Sequence, residues 1–396
     1  MFLIFSLTLK TTVDYVVKNI SIIIIGYLYN PEKVCEYLFS EIITFIIVFF
    51  KMNKTPLLGK NIDELRNLVT ELGMPAFTAK QIADWLYQKR AGSIDEMSNI
   101  SVKNRELLKE TYTVGRELPS TVTESVDGTK KYLFRTETNN FIETVYIPED
   151  DRHTLCVSSQ VGCKMNCLFC MTGKQGFTAN LTATEILNQI MSVAEADKLT
   201  NLVFMGMGEP MDNLTNLLRA LEILTADYGY GWSPKRVTVS TIGVIPKMKI
   251  FLEHSNCHLA LSMHSPFPEE RLKLMPVEKP YPIYEVLKEL KKHDFSHQRR
   301  VSFEYIMFDG LNDTMRHAVE MVKLLKDLDC RVNLIRFHAI PGIDLKTSNE
   351  DKMVFFRDYL TSNGIMTTIR KSRGEDIFAA CGMLSTMEKQ KEKAAE

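Results

Sequence analysis

Three of the eight cysteines in this 396-residue chain lie close together, as Cys163, Cys167 and Cys170. Thiolates spaced C-x3-C-x2-C can point at a common centre only if the backbone loops around it, which indicates a metal or cluster site. A structural zinc takes four closed ligands, commonly from two separate C-x2-C pairs, and the chain has no second pair. Iron–sulfur clusters are normally held by four cysteines. Three local thiolates therefore predict a [4Fe–4S] cluster with one iron open to a ligand that is not protein.

The overall composition is that of an ordinary globular chain, with 45% hydrophobic and 24% charged residues. The net charge of −1 neither indicates nor excludes a nucleic-acid partner, because a basic face can be balanced elsewhere. The unevenly spaced cysteines are unlike a secreted disulfide framework. We therefore predict a cytoplasmic protein that keeps its thiols reduced.

Residues 1–51 differ from the rest of the chain. They contain no Ala, Arg, Gln, His or Trp, and charged residues interrupt the apolar runs before any reaches the length of a membrane-spanning helix. A basic start and a small-residue cleavage site, which mark signal peptides, are absent from this sequence. We expect translation to start at Met52, so that this leader is a wrongly included extension. A membrane anchor is the alternative.

The spacing of apolar residues predicts the fold. Helical spacing extends from 61 to 114, and short strand-like runs follow from 119 to 159. Beyond the cysteines, six strand-like runs alternate with helical ones, which is typical of right-handed βαβ units around a parallel sheet. The predicted fold class is α/β, an open, partial (β/α)6 barrel with a small N-terminal helical domain. Its chemistry is expected at the carboxyl ends of the strands.

The predicted elements and domains can be given by residue number. The predicted strands are 202–205, 236–240, 258–263, 301–307, 332–337 and 366–370. The predicted domains are the leader (1–51), a helical accessory domain (52–114), connecting strands (115–148), the barrel core (149–376) and a C-terminal segment with a charged tail (377–396). The polar residues that follow strands are Gly208-Glu209-Pro210, Ser240 and Ser262-Met263-His264.

A specific resemblance extends from residue 57 to residue 384. The cysteine stretch with an open iron, followed by Gly208-Glu209-Pro210, resembles the signature of the radical S-adenosylmethionine (SAM) enzymes. Together with Val-Asn-Leu-Ile at 332–335 and the ending Arg-Lys-Ser-Arg-Gly…Ala-Ala-Cys-Gly at 370–382, it resembles the RlmN family of dual-specificity RNA methyltransferases. The resemblance implies a radical SAM barrel. It also implies methylation of adenine C2 in 23S rRNA, at the peptidyl transferase centre, and in the tRNA anticodon loop.

The resemblance further implies the cofactors, which are one [4Fe–4S] cluster and two SAM molecules per turnover. The cluster ligands carried over are Cys163, Cys167 and Cys170, and SAM completes the open iron. The SAM contacts carried over are Gly208, Glu209, Ser240, Ser262, Met263, His264 and His338. Many family members have asparagine where this chain has His338, which leaves open whether the position binds SAM through its backbone or its side chain.

The catalytic roles are implied by the same resemblance. Adenine C2 is too electron-poor to attack a SAM methyl group, so one SAM first methylates Cys381. A second SAM yields a 5′-deoxyadenosyl radical that takes a hydrogen from this methyl group, and the resulting carbon radical adds to C2. Glu143 then removes the C2 proton. Finally, Cys156 attacks the Cys381 sulfur, which releases the methylated RNA and leaves a transient disulfide.

The implied partners are 23S rRNA and tRNA, an external electron donor such as flavodoxin, and a thiol reductant. No stable membrane partner is expected, and the protein is expected to be a monomer. The target adenine has to be turned out of the folded RNA into the barrel mouth. Candidate phosphate contacts are Arg299-Arg300, Lys235-Arg236 and Arg370-Lys371-Arg373, of which we expect at least one group to be ordinary solvated surface.

Three other functions stay open at this stage. Methylation of adenine C8, as in Cfr-type enzymes, uses equivalents of Cys156 and Cys381. An iron–sulfur electron carrier predicts a fourth local cysteine and has no need of Cys381. A zinc-dependent RNA-binding module is the third alternative.

Overall fold

The computed structural model describes residues 54–295 and 301–386. The leader at 1–51, the Arg299-Arg300 pair and residues 387–396 of the charged tail lie outside the described residues. The described residues fall into two compact units, one of residues 54–55 with 107–113 and a larger one of residues 56–106, 114–295 and 301–386. All the predicted catalytic, cofactor and cluster residues belong to the larger unit.

The described residues contain eleven α-helices and fourteen strands. The helices are α1 Ile62–Glu71, α2 Thr78–Ala83, α3 Val102–Thr111, α4 Met171–Gln175, α5 Ala183–Ser192, α6 Leu214–Thr225, α7 Ile245–His254, α8 Pro268–Leu274, α9 Ile283–Leu290, α10 Met315–Leu325 and α11 Glu350–Ser362. The strands are β1 Thr55–Pro56, β2 Tyr112–Thr113, β3 Thr121–Glu124, β4 Lys130–Arg135, β5 Phe141–Pro148, β6 His153–Cys156, β7 Gln160–Gly162, β8 Phe177–Asn180, β9 Asn201–Phe204, β10 Val237–Thr241, β11 His258–Ser262, β12 Val301–Met307, β13 Cys330–Arg336 and β14 Met366–Ile369.

Ten of these strands form one open sheet, in the order β14-β13-β12-β11-β10-β9-β6-β5-β4-β3. The strands from β6 to β14 in this sheet run parallel to one another. The strands β5, β4 and β3 extend the sheet in antiparallel fashion beyond β6. The predicted α/β class with an open parallel sheet is confirmed. Because β6 pairs in parallel with β9, it adds a seventh parallel strand to the six expected from the alternation.

Helices pack against this sheet because their apolar residues fall on one face. In α9 the buried residues Ile283, Val286, Leu287 and Leu290 recur one helical turn apart. The strand β12 is instead buried along its whole length, as expected for a parallel strand with both faces covered. The difference in period between these two elements is the sequence signal that separates helix from strand.

The predicted helical segment near the start of the described residues contains α1, α2 and α3. The helix α1 begins with a capping box, in which Asn61 and Glu64 each accept a hydrogen bond from the other's backbone N–H. It buries Leu65, Leu68 and Val69 on one face. Throughout the described ranges, no helix combines the length and hydropathy needed to cross a membrane.

Candidate active site

The cluster loop is the stretch from Cys163 to Cys170, between β7 and α4. The backbone N–H of Cys163 donates to the carbonyl of Gly176 (3.1 Å), and that of Cys170 donates to the carbonyl of Cys167 (3.2 Å). Gly162, just before the loop, has a φ of +72°, and a Cβ there would lie 1.7 Å from the Gly176 oxygen. Only glycine tolerates this φ and this close contact, so the backbone can turn immediately before Cys163.

Two thiols of the cluster loop, those of Cys163 and Cys167, have raised pKa values. Cys163 and Cys167 are buried, whereas Cys170 is partly exposed. Burial raises the pKa of Cys163 to about 12, and the charge of Cys170 adds to the rise. Burial also raises the pKa of Cys167, with further contributions from its two cysteine neighbours. These thiols therefore become thiolates only when positive charge is placed among them.

This donor set fits a [4Fe–4S] cluster. The cluster supplies the positive charge and takes each thiolate on a different iron, so the thiols need not converge on one point. Among residues 54–295 and 301–386, no three His, Cys, Asp or Glu side chains are arranged to hold a single metal ion. The three cysteines are the predicted cluster ligands, and their role in binding stays a prediction.

Glu209 lies in the Gly-Glu-Pro turn after β9 and is buried. Its carboxylate accepts hydrogen bonds from the Thr241 hydroxyl (2.6 Å) and from two backbone N–H groups. Burial nevertheless raises the pKa of Glu209 to about 7. At Gly208, where φ is +98°, a Cβ would lie 2.5 Å from the side chain of Gln160. The turn is thus fixed by contacts within the protein, and Glu209 ties it to the end of β10.

The predicted residues at the ends of β10 and β11 lie where the sequence indicates. They are Ser240, Ser262, Met263 and, just beyond β11, His264. The ring of His264 is buried, and its Nδ1 accepts a hydrogen bond from the N–H of Ile306 (3.0 Å). Burial lowers the pKa of His264 to about 3, so the ring is neutral at physiological pH. It packs edge-on against Phe169 of the cluster loop, with 4.7 Å between ring centroids, and so connects that loop to β12.

A cavity of about 490 Å³ lies among the parallel strands, and all seven of them contribute to its lining. Four of the predicted site residues line it, namely Cys156, Cys170, Cys381 and His338. Cys156 ends β6, whereas Cys381 lies beyond the last strand of the sheet. The fold therefore brings these two thiols, far apart in sequence, to the same space as a cysteine of the cluster loop.

Arg370, just after β14, links the two distant thiols electrostatically. Burial raises the pKa of Cys156 to about 12, the charge of Cys381 adds to the rise, and the guanidinium of Arg370 opposes it. Nearby protein atoms raise the pKa of Cys381 by desolvation as well, although the residue itself is solvent-exposed, and Arg370 again opposes the rise. Cys156 thus feels the charge of Cys381, and one guanidinium favours the thiolate form of both.

Glu304, in the middle of β12, is a buried residue that the sequence reasoning missed. Its carboxylate accepts hydrogen bonds from the Asn333 amide (2.8 Å) and the Ser302 hydroxyl (3.2 Å). It also pairs with the guanidinium of Arg370 at 3.3 Å. A carboxylate inside a fully buried strand needs partners, so its position in the sequence was an available signal. Glu304 holds the arginine that faces both cysteines.

The C-terminal strap, residues 379–386, is held along α4. The backbone N–H of Met171 donates to the carbonyl of Gly382 (2.8 Å), and the Thr172 hydroxyl donates to that of Leu384 (2.7 Å). A Cβ on Gly382 would lie 2.9 Å from the carbonyl oxygen of Phe169, and φ at this glycine is +83°. Cys381, which precedes Gly382, is therefore held close to the cluster loop.

Gln175, at the end of α4, fastens the last described part of the strap. Its Nε2 donates to the hydroxyl of Thr386 (2.9 Å), and its Oε1 accepts from the N–H of Thr386 (2.9 Å) and the hydroxyl of Ser385 (3.3 Å). One side chain thus makes three hydrogen bonds to the segment that carries Cys381. Nothing in the sequence pattern singled out this glutamine.

Glu143 lies on β5 and is buried. One carboxylate oxygen lies 2.9 Å from the ammonium of Lys131, and the other accepts a hydrogen bond from the N–H of Ser385 in the strap (2.9 Å). Burial raises the pKa of Glu143, although Lys131 opposes the rise. A carboxylate with a raised pKa is a suitable proton acceptor, and this one is bonded to the strap that carries Cys381.

His338 lines the cavity, but its ring is turned to another residue. Its Nδ1 lies 2.6 Å from a carboxylate oxygen of Glu375.

Of the candidate phosphate contacts, Arg236 donates to the carbonyls of Leu199 and Thr200 (2.5 Å each) and stacks on Trp232 at 4.0 Å. The guanidinium of Arg236 is thus engaged within the protein, which is neither a phosphate contact nor the ordinary solvated surface expected for at least one of those groups.

Two family models match the chain. Residues 157–325 match the radical SAM superfamily, and residues 55–114 match the ribosomal RNA large subunit methyltransferase N-terminal domain. A crystal structure of a radical SAM methyltransferase from Sphaerobacter thermophilus is similar, with a TM-score of 0.79 and 36% identity. This similarity covers 83% of this chain and 99% of that one.

Curated relatives extend the comparison over nearly their whole length. A probable dual-specificity RNA methyltransferase RlmN from Phocaeicola vulgatus is 63% identical over 340 residues, which cover 86% of this chain and 97% of the relative. A relative with the same name from Porphyromonas gingivalis is 60% identical over 333 residues, or 84% of this chain and 94% of the relative. The resemblance drawn from the motifs is confirmed. The chain belongs to the RlmN family of radical SAM RNA methyltransferases.

Proposed function

We propose that this enzyme methylates C2 of an adenine in 23S rRNA, at the peptidyl transferase centre, and of an adenine in the tRNA anticodon loop. The dual specificity named in its curated relatives supports two RNA substrates. The observation that carries the proposal is the cavity shared by Cys156, Cys381 and Cys170. A methyl carrier, a thiol that frees it and a radical source have to meet in one space.

The cofactors of the proposed reaction are one [4Fe–4S] cluster and SAM. Cys163, Cys167 and Cys170 hold the cluster. The residues proposed to contact SAM are Gly208, Glu209, Ser240, Ser262, Met263, His264 and His338. When bound, the cluster and SAM supply the radical that removes a hydrogen atom from a methyl group on Cys381. Because the ring of His338 is engaged with Glu375, we expect its backbone carbonyl to make the contact.

Cys381 is the methyl carrier in this proposal. Its strap is fastened to the helix that follows the cluster loop, which limits the distance over which the methyl group can move. The guanidinium of Arg370 favours the thiolate, which is the nucleophilic form needed to accept a methyl group. Cys381 is also solvent-exposed, so a substrate base can reach it.

Cys156 frees the product. Once a methylene group joins Cys381 to adenine C2, and the unpaired electron of this adduct has passed back to the oxidised form of the external one-electron carrier, the Cys156 thiolate attacks the sulfur of Cys381. A sulfur–sulfur bond forms and the sulfur–methylene bond breaks, and its electron pair stays with the carbon, which takes up a proton and becomes a methyl group. The two sulfurs have to approach to about 2.05 Å, with their Cα atoms within about 7 Å. A thiol reductant then restores both cysteines.

Glu143 accepts the proton that leaves C2. Its burial and raised pKa suit a base that works near neutral pH. The hydrogen bond from the Ser385 N–H holds this carboxylate against the strap, so the same segment positions the base and the methyl carrier. An external one-electron donor such as flavodoxin completes the set of partners.

Product mapping tests the proposal. We expect ribosomal RNA and tRNA from a strain that lacks this gene to lose adenine C2 methylation, measured by mass spectrometry of nucleosides and fragments. Complementation with the wild-type gene should restore it. Loss of C8 methylation instead would assign the Cfr-type reaction and overturn the proposal.

The disulfide step has its own test. The variant Cys156→Ala lacks the nucleophile that frees the product, so we expect it to accumulate a covalent protein–RNA complex during one turnover. Denaturing gels with labelled RNA should show a band that nuclease removes. The double variant with Cys381→Ala should lack that band, and a band in the double variant would contradict the role of Cys381.

A further inference from the structure

Phe378 is a large apolar residue exposed three positions before the methyl carrier. Its exposed fraction is 60%, and its backbone has a φ of +52°. A bulky side chain in the left-handed region is uncommon and carries a conformational cost. The surrounding structure must therefore hold Phe378 in this position.

The loop that carries Phe378 is fastened to the turn between β3 and β4. The backbone N–H of Gly374 donates to a carboxylate oxygen of Asp127 (3.0 Å). Asp376 accepts hydrogen bonds from the Ser125 hydroxyl (2.6 Å) and the Val126 N–H (3.1 Å). Anchored on that turn, the loop holds its exposed aromatic residue in a defined position.

The backbone of Phe378 contacts the lysine that pairs with the proposed base. Its carbonyl accepts a hydrogen bond from Lys131 (3.5 Å), and the same ammonium lies 2.9 Å from Glu143. Beside the loop is an open hollow of about 550 Å³, which is lined by the cations Arg336, Lys371 and Arg373 together with the carboxylates Asp127 and Glu375. Those three cations also line the cavity that holds Cys381. Ala379, the next residue in the chain, also lines that cavity, so the exposed side chain of Phe378 belongs to the residue adjacent to the cavity lining.

We propose that Phe378 is a stacking platform for the nucleotide next to the target adenine. This inference rests on the RNA substrate proposed above. When the target base is turned out of the stack, the adjacent base loses its stacking partner. An exposed aromatic ring can stack on that adjacent base instead. Adjacent cations attract the phosphates of the same strand, which matches the usual chemistry of single-stranded RNA sites. The charges and the ring thus fit one occupant, an unstacked RNA segment.

The test is a double-mutant cycle in which one change is made in the protein and the other in the RNA, and binding is compared across the four combinations. The probe is a labelled anticodon stem-loop RNA, either intact or with an abasic site on the 5′ or the 3′ side of the target adenine. We expect Phe378→Ala to weaken binding of the intact RNA by about 5- to 150-fold, the range of one lost base–aromatic stack. One of the two abasic RNAs should bind the wild-type enzyme weakly and should lose nothing further with the variant.

Controls separate stacking from folding and from the reaction itself. Phe378→Tyr should restore binding, and Phe355→Ala, which removes a similarly exposed phenylalanine on α11, should leave it unchanged. Methylation of Cys381 by SAM without RNA should be equal in all variants. In methylation assays KM for RNA should rise while kcat changes little. Unchanged RNA affinity in Phe378→Ala, with a wild-type enzyme that methylates C2, would overturn this inference alone.

Discussion

The cluster loop and the C-terminal strap carry thiols into the same cavity, but they are held in different ways. The two ends of the cluster loop are closed by backbone bonds to nearby residues, between Cys163 and Gly176 and between Cys170 and Cys167, and one longer-range bond joins Leu168 to Leu274. The strap is held by side chains more than two hundred residues earlier, as in the bond from Thr172 to Leu384. A locally closed loop forms as soon as its own segment folds, whereas the strap forms only after the sheet is complete.

This difference suits the two tasks. Cluster ligands have to stay in place through every cycle, and short-range bonds provide that. A methyl carrier has to receive a methyl group, pass it on and meet a second thiol. A segment fastened by a few long-range hydrogen bonds can shift without disturbing the loop beside it.

The largest expected effect distinguishes the cluster loop from the strap by the iron that variants in each of them bind. Cys167→Ala should lose bound iron and methylation together, because it removes a cluster ligand. Cys381→Ala should keep its iron and still lose methylation by about a thousandfold or more, because it removes only the methyl carrier. Iron and sulfide analysis of anaerobically purified protein, together with a methylation assay, provides the measurement. Iron loss in Cys381→Ala would contradict the separation of the two regions.

A smaller effect is expected when the strap is loosened. Gln175→Ala removes three hydrogen bonds to Thr386 and Ser385. We expect the rate of methyl transfer to fall by about ten- to a hundredfold, since each bond contributes about 1 kcal/mol. Iron content should be unchanged.

The matched control is Gln175→Glu, which keeps the acceptor oxygen for both strap residues. We expect it to retain most of the activity in single-turnover assays. Equal losses in the two variants would show that the hydrogen bonds to the strap are not what matters at this position.

The last expected effect is on stability rather than on rate, and it concerns the turn beside β10 and its dependence on pH. Burial raises the pKa of Glu209 to about 7 from 4.5, so the folded state holds a proton that the unfolded chain releases earlier. The stability that the protonated Glu209 carboxyl contributes to the folded state is therefore complete below pH 4.5 and is lost as the pH rises through 7. The wild type should lose up to about 3 kcal/mol of stability between these values relative to Glu209→Gln. Thermal unfolding of both proteins from pH 5 to 8 is the measurement, and parallel curves would contradict the raised pKa.

Much of the fold could be predicted because its signals are local. Alternating strand and helix periods gave the parallel sheet, and the apolar faces of α1 and α9 gave helices. The run that forms β6 belongs to the short strand-like runs of 119–159 and not to the six alternating strands, because a short apolar run does not reveal its pairing direction. Its place beside β9 depends on which strands meet after the chain crosses over the sheet.

The candidate site likewise contains residues that local sequence could predict and residues that it could not. The spacing of Cys163, Cys167 and Cys170 indicated a cluster because metal ligation needs ligands at set distances along one loop. Glu304 and Gln175 were missed because their roles depend on partners in other elements, Arg370 for one and the strap for the other. His264 was placed correctly at a strand end, but its ring proved to bond the backbone of Ile306.

The sequence by itself determined the spacing of the three thiols predicted to hold a cluster, the alternation that builds a parallel sheet and the family to which the chain belongs. Only the tertiary structure decided that Cys156 and Cys381 face one cavity, that Arg370 lies beside both, and that the strap is bonded to Glu143. The physical reason is the range of the interactions involved. Ligand spacing and periodicity are properties of adjacent residues, whereas a meeting of residues far apart in sequence depends on every strand pairing between them.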